Sequence, residues 1–421
     1  MLKQIEGSLG VAQAVALCRP GVVCAYPISP QTHIVENLGK FVKEGSLKDC
    51  EFLNVESEFS AMSVAIGSEV GGVRTYTATA SQGLLFMTEG VYSASGLGLP
   101  MVMTVASRAI GGPINIWNDH SDSLSQRDSG WLQLFCESNQ DAVDTHIMAF
   151  KIAEEVGLPV MVCMDGFVLT HAFERLDIPD QETVDKFLPK YEPREFINTK
   201  EPVSIGAMVG PEAFTEVRFL QQRKMAKALC VIEKVTKEYR ELTGSKSGGL
   251  LDCYNCENAD IKLIIMGSTV GTAKDEVDRL KTQGINVGII SLKSFRPFPY
   301  AAIKEAIGDT KQVICIERAF SFGARGIVCP EVKRAMEGTN CDVKTVVAGL
   351  GGRPIFGTTI NGIVKDALAG KFTEEFTWYD IDTNVLNNST LKDENVSFSQ
   401  GPIAQSVLEK SVKAYAGDDK C

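Results

Sequence analysis

Residues 73–107 read VRTYTATASQGLLFMTEGVYSASGLGLPMVMTVAS, and their pattern decides the fold. VRTYTATA (73–80) and LPMVMTVAS (99–107) are β-type runs. Between them, residues 84–95 place their apolar side chains at helical spacing. Working outward, VVCAYPI (22–28), CEFLNV (50–55) and LPVMVCMDGF (158–167) are further strand candidates. Several of these runs are apolar almost throughout, as expected of strands covered on both faces. Residues 58–69 and 145–156 supply helical patterns, the latter stopping at Gly157-Leu158-Pro159. Strands alternating with helices predict an α/β fold built on a mainly parallel sheet.

A second alternation starts near residue 259. IKLIIMG (261–267), TAKDEVDRLKTQG (272–284), INVGIISL (285–292), YAAIKEAIG (300–308) and KQVICIE (311–317) form a βαβαβ unit of their own. Residues 176–256 are charged and weakly periodic apart from a helical stretch at 213–242, and read as a connection rather than a third core. The expected organisation is therefore a first domain with its connecting segment at 1–240, a second domain at 258–371, and an extended C-terminal arm at 372–421 that includes NVLNNSTLKDENVSFSQGP. A length of 421 residues suits two or three domains at about 150 residues each.

Composition narrows the function. A net charge of −11 argues against a general nucleic-acid surface, which needs clustered Lys and Arg. No uncharged apolar run is long enough to span a bilayer, and residues 1–20 carry Glu6 early with no small-residue cleavage pattern, so no membrane span or signal peptide is expected. Twelve cysteines spread through apolar runs point to thiols in a reducing cytoplasm.

Several chemistries lack their motifs. Gly267-Ser268-Thr269-Val270-Gly271 follows a strand but lacks the GxGxxG spacing, and the next strand ends without a ribose-binding acid, so a tight turn into a helix is the better reading and a nucleotide-binding dehydrogenase the weaker one. Cys253-Tyr254-Asn255-Cys256 is a single CxxC pair that cannot fill a four-cysteine site. The histidines at 33, 120, 146 and 171 show no metal-ligand spacing, and no residue is assigned to a metal. Ser81-Gln82-Gly83 lacks the GxSxG elbow.

The chemistry-bearing density lies at four strand ends of the first region. Ser29 stands between two prolines in Tyr26-Pro27-Ile28-Ser29-Pro30. Glu56-Ser57-Glu58 opens a helix, and residues 77–83, TATASQG, are small and hydroxyl-rich. Residues 107–113, SRAIGGP, precede 115–122, NIWNDHSD. In open parallel sheets ligands bind outside the carboxyl ends of the strands. A hydroxyl, a carboxylate, small polar residues and an arginine at those ends compose a site.

The strings YPISPQTHIVENL, NVESEFSAMSVAIGSEVGGVRTYTATASQGLLFMTEGVYSASGLGLPMVM and SRAIGGPINIWNDHSDSLSQRDSGWLQLFCESNQDAVD, with SLKSFRPFP and ERAFSFGARG farther on, resemble the α subunits of 2-oxoacid:ferredoxin oxidoreductases, the pyruvate:ferredoxin oxidoreductase group. The resemblance implies a thiamine-diphosphate-binding-type parallel-sheet domain on the cofactor's pyrimidine side, followed by a transketolase C-terminal-like α/β domain. It places Glu58 where the family glutamate meets the aminopyrimidine nitrogen, with Glu56 the competing choice, and Thr79 and Ser81 beside the cofactor. Arg108 falls where a guanidinium binds the substrate carboxylate, a fork that matches it bidentately. Ser29 replaces a common threonine that contacts substrate, and Gly111-Gly112 replaces a common Ser-Ala, both implying a roomier pocket. Asn118 and His120 belong to the polar loop after the arginine, His120 being a catalytic candidate or a structural loop residue. Trp117 and Trp131 line either the pocket or a subunit interface, and Arg296-Pro297-Phe298-Pro299 reads as a packing and interface element.

The diphosphate and magnesium motif and any ferredoxin-type cysteine run are missing from the chain. By resemblance these belong to partners: a β subunit carrying the diphosphate/magnesium motif, a γ subunit, and a δ-type subunit with [4Fe-4S] clusters. The implied reaction is the coenzyme A-acylating oxidative decarboxylation of a 2-oxoacid, pyruvate by default, with electrons to ferredoxin. The alternatives are an aryl 2-oxoacid such as phenylglyoxylate, with NAD as final acceptor through a separate flavin subunit, and a non-catalytic assembly subunit.

Overall fold

The computed structural model describes residues 2–383 and contains two large sheets. Its strands are β1 (Leu2–Glu6), β2 (Val22–Ala25), β3 (Glu51–Asn54), β4 (Thr75–Thr79), β5 (Val102–Ser107), β6 (Leu132–Phe135), β7 (Val160–Asp165), β8 (Phe173–Asp177), β9 (Leu251–Tyr254), β10 (Ile261–Ile265), β11 (Val287–Leu292), β12 (Ser294–Arg296), β13 (Gln312–Glu317), β14 (Asp342–Val347) and β15 (Phe376–Trp378). The first sheet runs β12-β6-β7-β5-β4-β2-β3, parallel except for β12. The second runs β15-β14-β13-β10-β11-β9, parallel except for β9.

Strands β4, β5 and β7 are buried along their whole length, which is why their sequences are continuously apolar or hydroxylated instead of alternating. The helices covering them start and stop on local signals. Ser57 caps Glu58–Val70 by accepting the Ser60 N–H at 3.1 Å. Ser138 caps Asn139–Val156 in the same way through Asp141, and Gly157 ends that helix at φ +68°. This helix begins six residues before the expected 145, because its first two turns are polar yet buried. Asp141 pairs with Lys293 at 3.2 Å, and Asp144 accepts the Tyr239 hydroxyl at 2.8 Å. The single helix expected at 84–95 is two, Ser81–Phe86 and Thr88–Leu97. At the break the Thr88 hydroxyl donates to the Leu85 carbonyl at 2.7 Å, competing with the helical ladder.

The segment at 176–256 does more than connect. It follows β8, which pairs antiparallel with β1, and its helix Phe214–Thr243 buries Ala228, Val231, Ile232, Val235 and Tyr239 in the first core. It ends in β9, which enters the second sheet. The two sheets share structure: β12 leaves the second region to pair with β6, and one apolar cluster joins Met62, Leu84 and Trp131 to Ile290, Phe295 and Ile303. The Arg296-Pro297-Phe298-Pro299 stretch thus sits in this junction, Arg296 bonding Glu331 at 2.8 Å. The expected arm includes β15, a parallel strand on the edge of the second sheet; residues 384–421 lie outside the described residues.

Candidate functional site

Adjacency in the order β3-β2-β4-β5, all parallel, turns four strand ends into one rim. Ser29 follows β2, Glu58 follows β3, Thr79 ends β4 and Arg108 follows β5. The topology therefore gathers four residues that the sequence scatters over eighty positions.

Glu58 is the first residue of its helix and is buried. A Cβ at Gly83 would lie 2.7 Å from Glu58 Oε1 and 2.6 Å from Thr79 Oγ1. Glycine is thus required there, and the two side chains border one small cradle. The Thr79 hydroxyl is buried with no hydrogen-bond partner among the described residues. A buried polar atom in that condition costs free energy unless a ligand satisfies it. Glu56 lies outside the cradle: it is exposed, and its carboxylate accepts the Ser60 hydroxyl at 2.7 Å, a bond that holds it below the usual carboxylate range. The carboxylate at the cradle is that of Glu58.

Arg108 is 5% exposed, yet no carboxylate pairs with its guanidinium among the described residues. Nε donates to the Asn115 carbonyl at 3.0 Å and Nη1 to the Ser29 carbonyl at 2.9 Å. These neutral partners aim the fork and leave it without a hydrogen-bonded carboxylate among the described residues, a geometry that suits an anion. Burial draws the guanidinium below its ordinary value, while the carboxyl of Asp122 opposes that shift.

Asp122 organises the rim and escaped assignment in the sequence, where it is one acid among several in a polar loop. It is fully buried, and its carboxylate accepts backbone N–H groups from Ser81 at 2.8 Å, Arg108 at 2.9 Å and Ser123 at 2.6 Å. Burial pushes its carboxyl up to about 7, against the pull of those three donors. Ser81, at φ +50°, is the first residue of the helix that follows β4. Its hydroxyl donates to the Ala109 carbonyl at 2.5 Å, which ties the Arg108 loop to the start of that helix.

The paired glycines expected to widen the pocket have neighbours of their own. The amide of Gln82 occupies the space beside Gly111, where a Cβ would lie 1.7 Å from its nitrogen. Gly112 has φ +100°, so glycine there meets a backbone requirement. His120 is 1% exposed and faces Asp165, Nε2 to Oδ1 at 2.8 Å. Asp165 also accepts Arg318 Nη1 at 3.0 Å and the Ser268 N–H at 3.0 Å. Although burial raises its carboxyl, the neighbouring His120 and Arg318 hold it well below the carboxylate range. Arg318 reaches on to the Asn118 carbonyl at 3.1 Å, and the Asn118 amide nitrogen is buried without a partner among the described residues. His120 and Asn118 thus tie the rim loop to the second domain through Asp165 and Arg318. Gly267 lets its chain pass this network: a Cβ there would lie 2.7 Å from Asp165. Trp117 stacks on Phe167 at 5.0 Å beside the second domain's Gly352, whereas Trp131 is a core residue whose indole N–H donates to Val91. The Cys253–Cys256 pair lies at edge strand β9, not on the rim. No helix of the described residues is long and apolar enough to cross a membrane.

Residues 13–239 match the family of pyruvate flavodoxin/ferredoxin oxidoreductase thiamine-diphosphate-binding domains, and residues 259–360 match core domain II of pyruvate:ferredoxin oxidoreductase. The chain is 43% identical over 367 residues to pyruvate synthase subunit PorA of Methanosarcina barkeri, covering 86% of this chain and 91% of that one. It is 44% identical over 376 residues to the same-named subunit of Methanocaldococcus jannaschii, covering 86% and 95%. It is 38% identical over 384 residues to ketoisovalerate oxidoreductase subunit VorA of Pyrococcus abyssi, covering 90% and 97%. In fold it is similar to 2-oxoglutarate:ferredoxin oxidoreductase from Magnetococcus marinus, with a TM-score of 0.65 at 19% identity, over 87% of this chain and 65% of that longer one. A split-gene transketolase aligns with a TM-score of 0.50 at 13% identity, over 87% and 99%. Two domains of the expected kinds in the expected order, and relatives alike over nearly their whole lengths, place this chain among the α subunits of the 2-oxoacid:ferredoxin oxidoreductase family.

Proposed function

We propose that this chain is the α subunit of a coenzyme A-acylating 2-oxoacid oxidoreductase that passes electrons to ferredoxin, with pyruvate as substrate. The observation that carries this is the buried, carboxylate-free Arg108 on the same rim as the Glu58–Thr79–Gly83 cradle. The named activities of the pyruvate and ketoisovalerate relatives support the reaction class.

The cradle fits one edge of an aminopyrimidine, since it offers a carboxylate and a buried hydroxyl lacking a partner. When bound, thiamine diphosphate supplies the carbon nucleophile and the electron sink for decarboxylation. Glu58 then holds a proton at the ring nitrogen, and the Thr79 hydroxyl bonds the exposed edge. Arg108 binds the 2-oxoacid carboxylate and orients the keto carbon, with its fork fixed by the Asn115 and Ser29 carbonyls. The Ser29 hydroxyl, on an exposed residue of the same turn, bonds the substrate oxygen. Ser81 and Asp122 hold both loops in register. Gln82, filling the space at Gly111, limits the pocket and favours a small 2-oxoacid over an aryl one.

The chain lacks the diphosphate/magnesium motif and an iron–sulfur cysteine run, so activity requires a β subunit for the former, and γ and δ-type subunits, the δ-type bringing [4Fe-4S] clusters. We place the domain division at 1–240 and 258–371, and the complex in the reducing cytoplasm, in keeping with eleven free thiols among the described residues. The test is a panel on the intact complex purified without oxygen, following viologen reduction with coenzyme A and pyruvate, 2-oxoglutarate, branched 2-oxoacids or phenylglyoxylate. Highest kcat/KM for pyruvate supports the proposal. Preference for the aryl acid overturns the small-pocket reading, and no coenzyme A-dependent turnover overturns the function.

A further inference from the structure

The fold assembles a group that sequence spacing hides. Glu6 ends β1, His33 lies in the first turn of the helix Thr32–Lys43, and His171 sits in the turn after β7. Ligand atoms from the three, one carboxylate oxygen and one ring nitrogen of each histidine, all lie within 4.8 Å of one another. His33 Nδ1 meets Glu6 Oε1 at 2.7 Å, and the two imidazoles stack with centroids 4.6 Å apart. Two imidazoles and a carboxylate on one point are the donor set for a borderline divalent transition metal, and water can complete the sphere. The His33 side chain is 45% exposed, which leaves that open side to solvent, while Glu6 is 17% exposed.

The surroundings supply the outer support that such a site needs. Thr170 Oγ1 accepts the Phe167 N–H at 2.8 Å and lies 2.7 Å from His171 Nδ1. When Nδ1–H donates to that oxygen, Nε2 carries the lone pair, the tautomer arrangement that orients metal-bound histidines. Phe167 stacks on His171 at 4.8 Å and on Trp117 at 5.0 Å, so the group joins a row of rings running to the Arg108 loop. Pro30, next to Ser29, packs against Gly166 in the same turn, its Cγ 2.5 Å from where a Cβ would stand.

We propose that Glu6, His33 and His171 bind a zinc-class divalent cation that staples the N-terminal strand, the helix after Ser29 and the turn after β7 behind the substrate rim. This site stands on its own geometry and does not depend on the thiamine cradle.

The test is zinc content. The assembled complex is stripped with a weak chelator and brought to equilibrium by dialysis against zinc chloride, and zinc per α chain is read by plasma mass spectrometry. Wild type is expected to hold one zinc per chain more than His33→Ala/His171→Ala. Thr170→Ala is expected to weaken that zinc by about 10–100-fold. Equal zinc in wild type and the double variant overturns the site. Should the double variant not assemble, Glu6→Gln replaces it: at least tenfold weaker zinc binding supports the site, and unchanged binding overturns it.

Discussion

One oxygen of Asp122 accepts the backbone N–H of Arg108 at 2.9 Å and that of Ser81 at 2.8 Å. The ends of β4 and β5 are thereby held by a single buried carboxylate. Cradle and guanidinium are thus set relative to each other through backbone rather than side-chain bonds.

Asp122→Ala therefore leaves three buried N–H groups without an acceptor and releases both loops. We expect kcat/KM for the 2-oxoacid to fall about 100-fold, the scale of an ångström-level misplacement. Asp122→Asn, which keeps one oxygen acceptor, should lose less. Initial rates on the assembled complex measure both, and equal, near-wild-type rates would show that Asp122 positions nothing.

Gly83→Ala puts a methyl where Glu58 and Thr79 already stand. The expected outcome is an assembled complex whose affinity for thiamine diphosphate falls by tenfold or more, read by titrating activity of stripped enzyme with the cofactor. Unchanged affinity would mean that the cradle can widen at no cost.

The rim was legible in the sequence because apolar strands end in residues with no reason to be there for packing: Ser29 between prolines, Glu58 at a helix start, Arg108 after VMTVAS. What stayed hidden depends on contacts between distant segments. His120 in the sequence is a loop histidine with no visible partner; its pairing with Asp165, which also accepts from Arg318, joins segments 45 and 198 positions away. Gly111 looks like missing volume until Gln82 folds into it. The buried polar start of the helix at Asn139 defeats apolar periodicity, because its acids are satisfied by Lys293 and Tyr239 from elsewhere. Strand β12 is too short to announce itself, and its partner is in the other domain.

The junction of the two domains gives a stability prediction. Arg318→Ala strips the guanidinium from the fully buried Asp165 and from the Asn118 carbonyl. Breaking one side of a buried pair costs about 3–5 kcal/mol, and the Arg318 variant should sit at the low end because His120 and Ser268 still hold Asp165. Denaturant titration of the purified complex checks this, and a loss under about 1 kcal/mol would argue against a tight lock.

His146 gives a pH dependence. The Tyr76 hydroxyl lies 2.6 Å from Thr104 Oγ1, which lies 2.5 Å from His146 Nε2, while Nδ1 meets the Ala142 carbonyl at 2.6 Å. A neutral imidazole satisfies every bond in this row. Burial draws His146 down to about 4, so between that value and the ordinary 6.5 the unfolded chain binds more protons than the folded one. Stability then rises with pH through this window and is lost as pH falls from 6.5 towards 4, by up to about 3 kcal/mol for the one group. His146→Gln should flatten the slope of Tm against pH there, and an unchanged slope would assign the acid sensitivity elsewhere.

The central claim is that Glu58 serves the cofactor chemistry of this family. It is tested most directly by coenzyme A-dependent viologen reduction with pyruvate, comparing wild-type complex with Glu58→Gln at saturating thiamine diphosphate. The account predicts intact assembly with kcat lowered about 100- to 10,000-fold, the range for a lost proton-handling group. Turnover within a factor of two of wild type would contradict it.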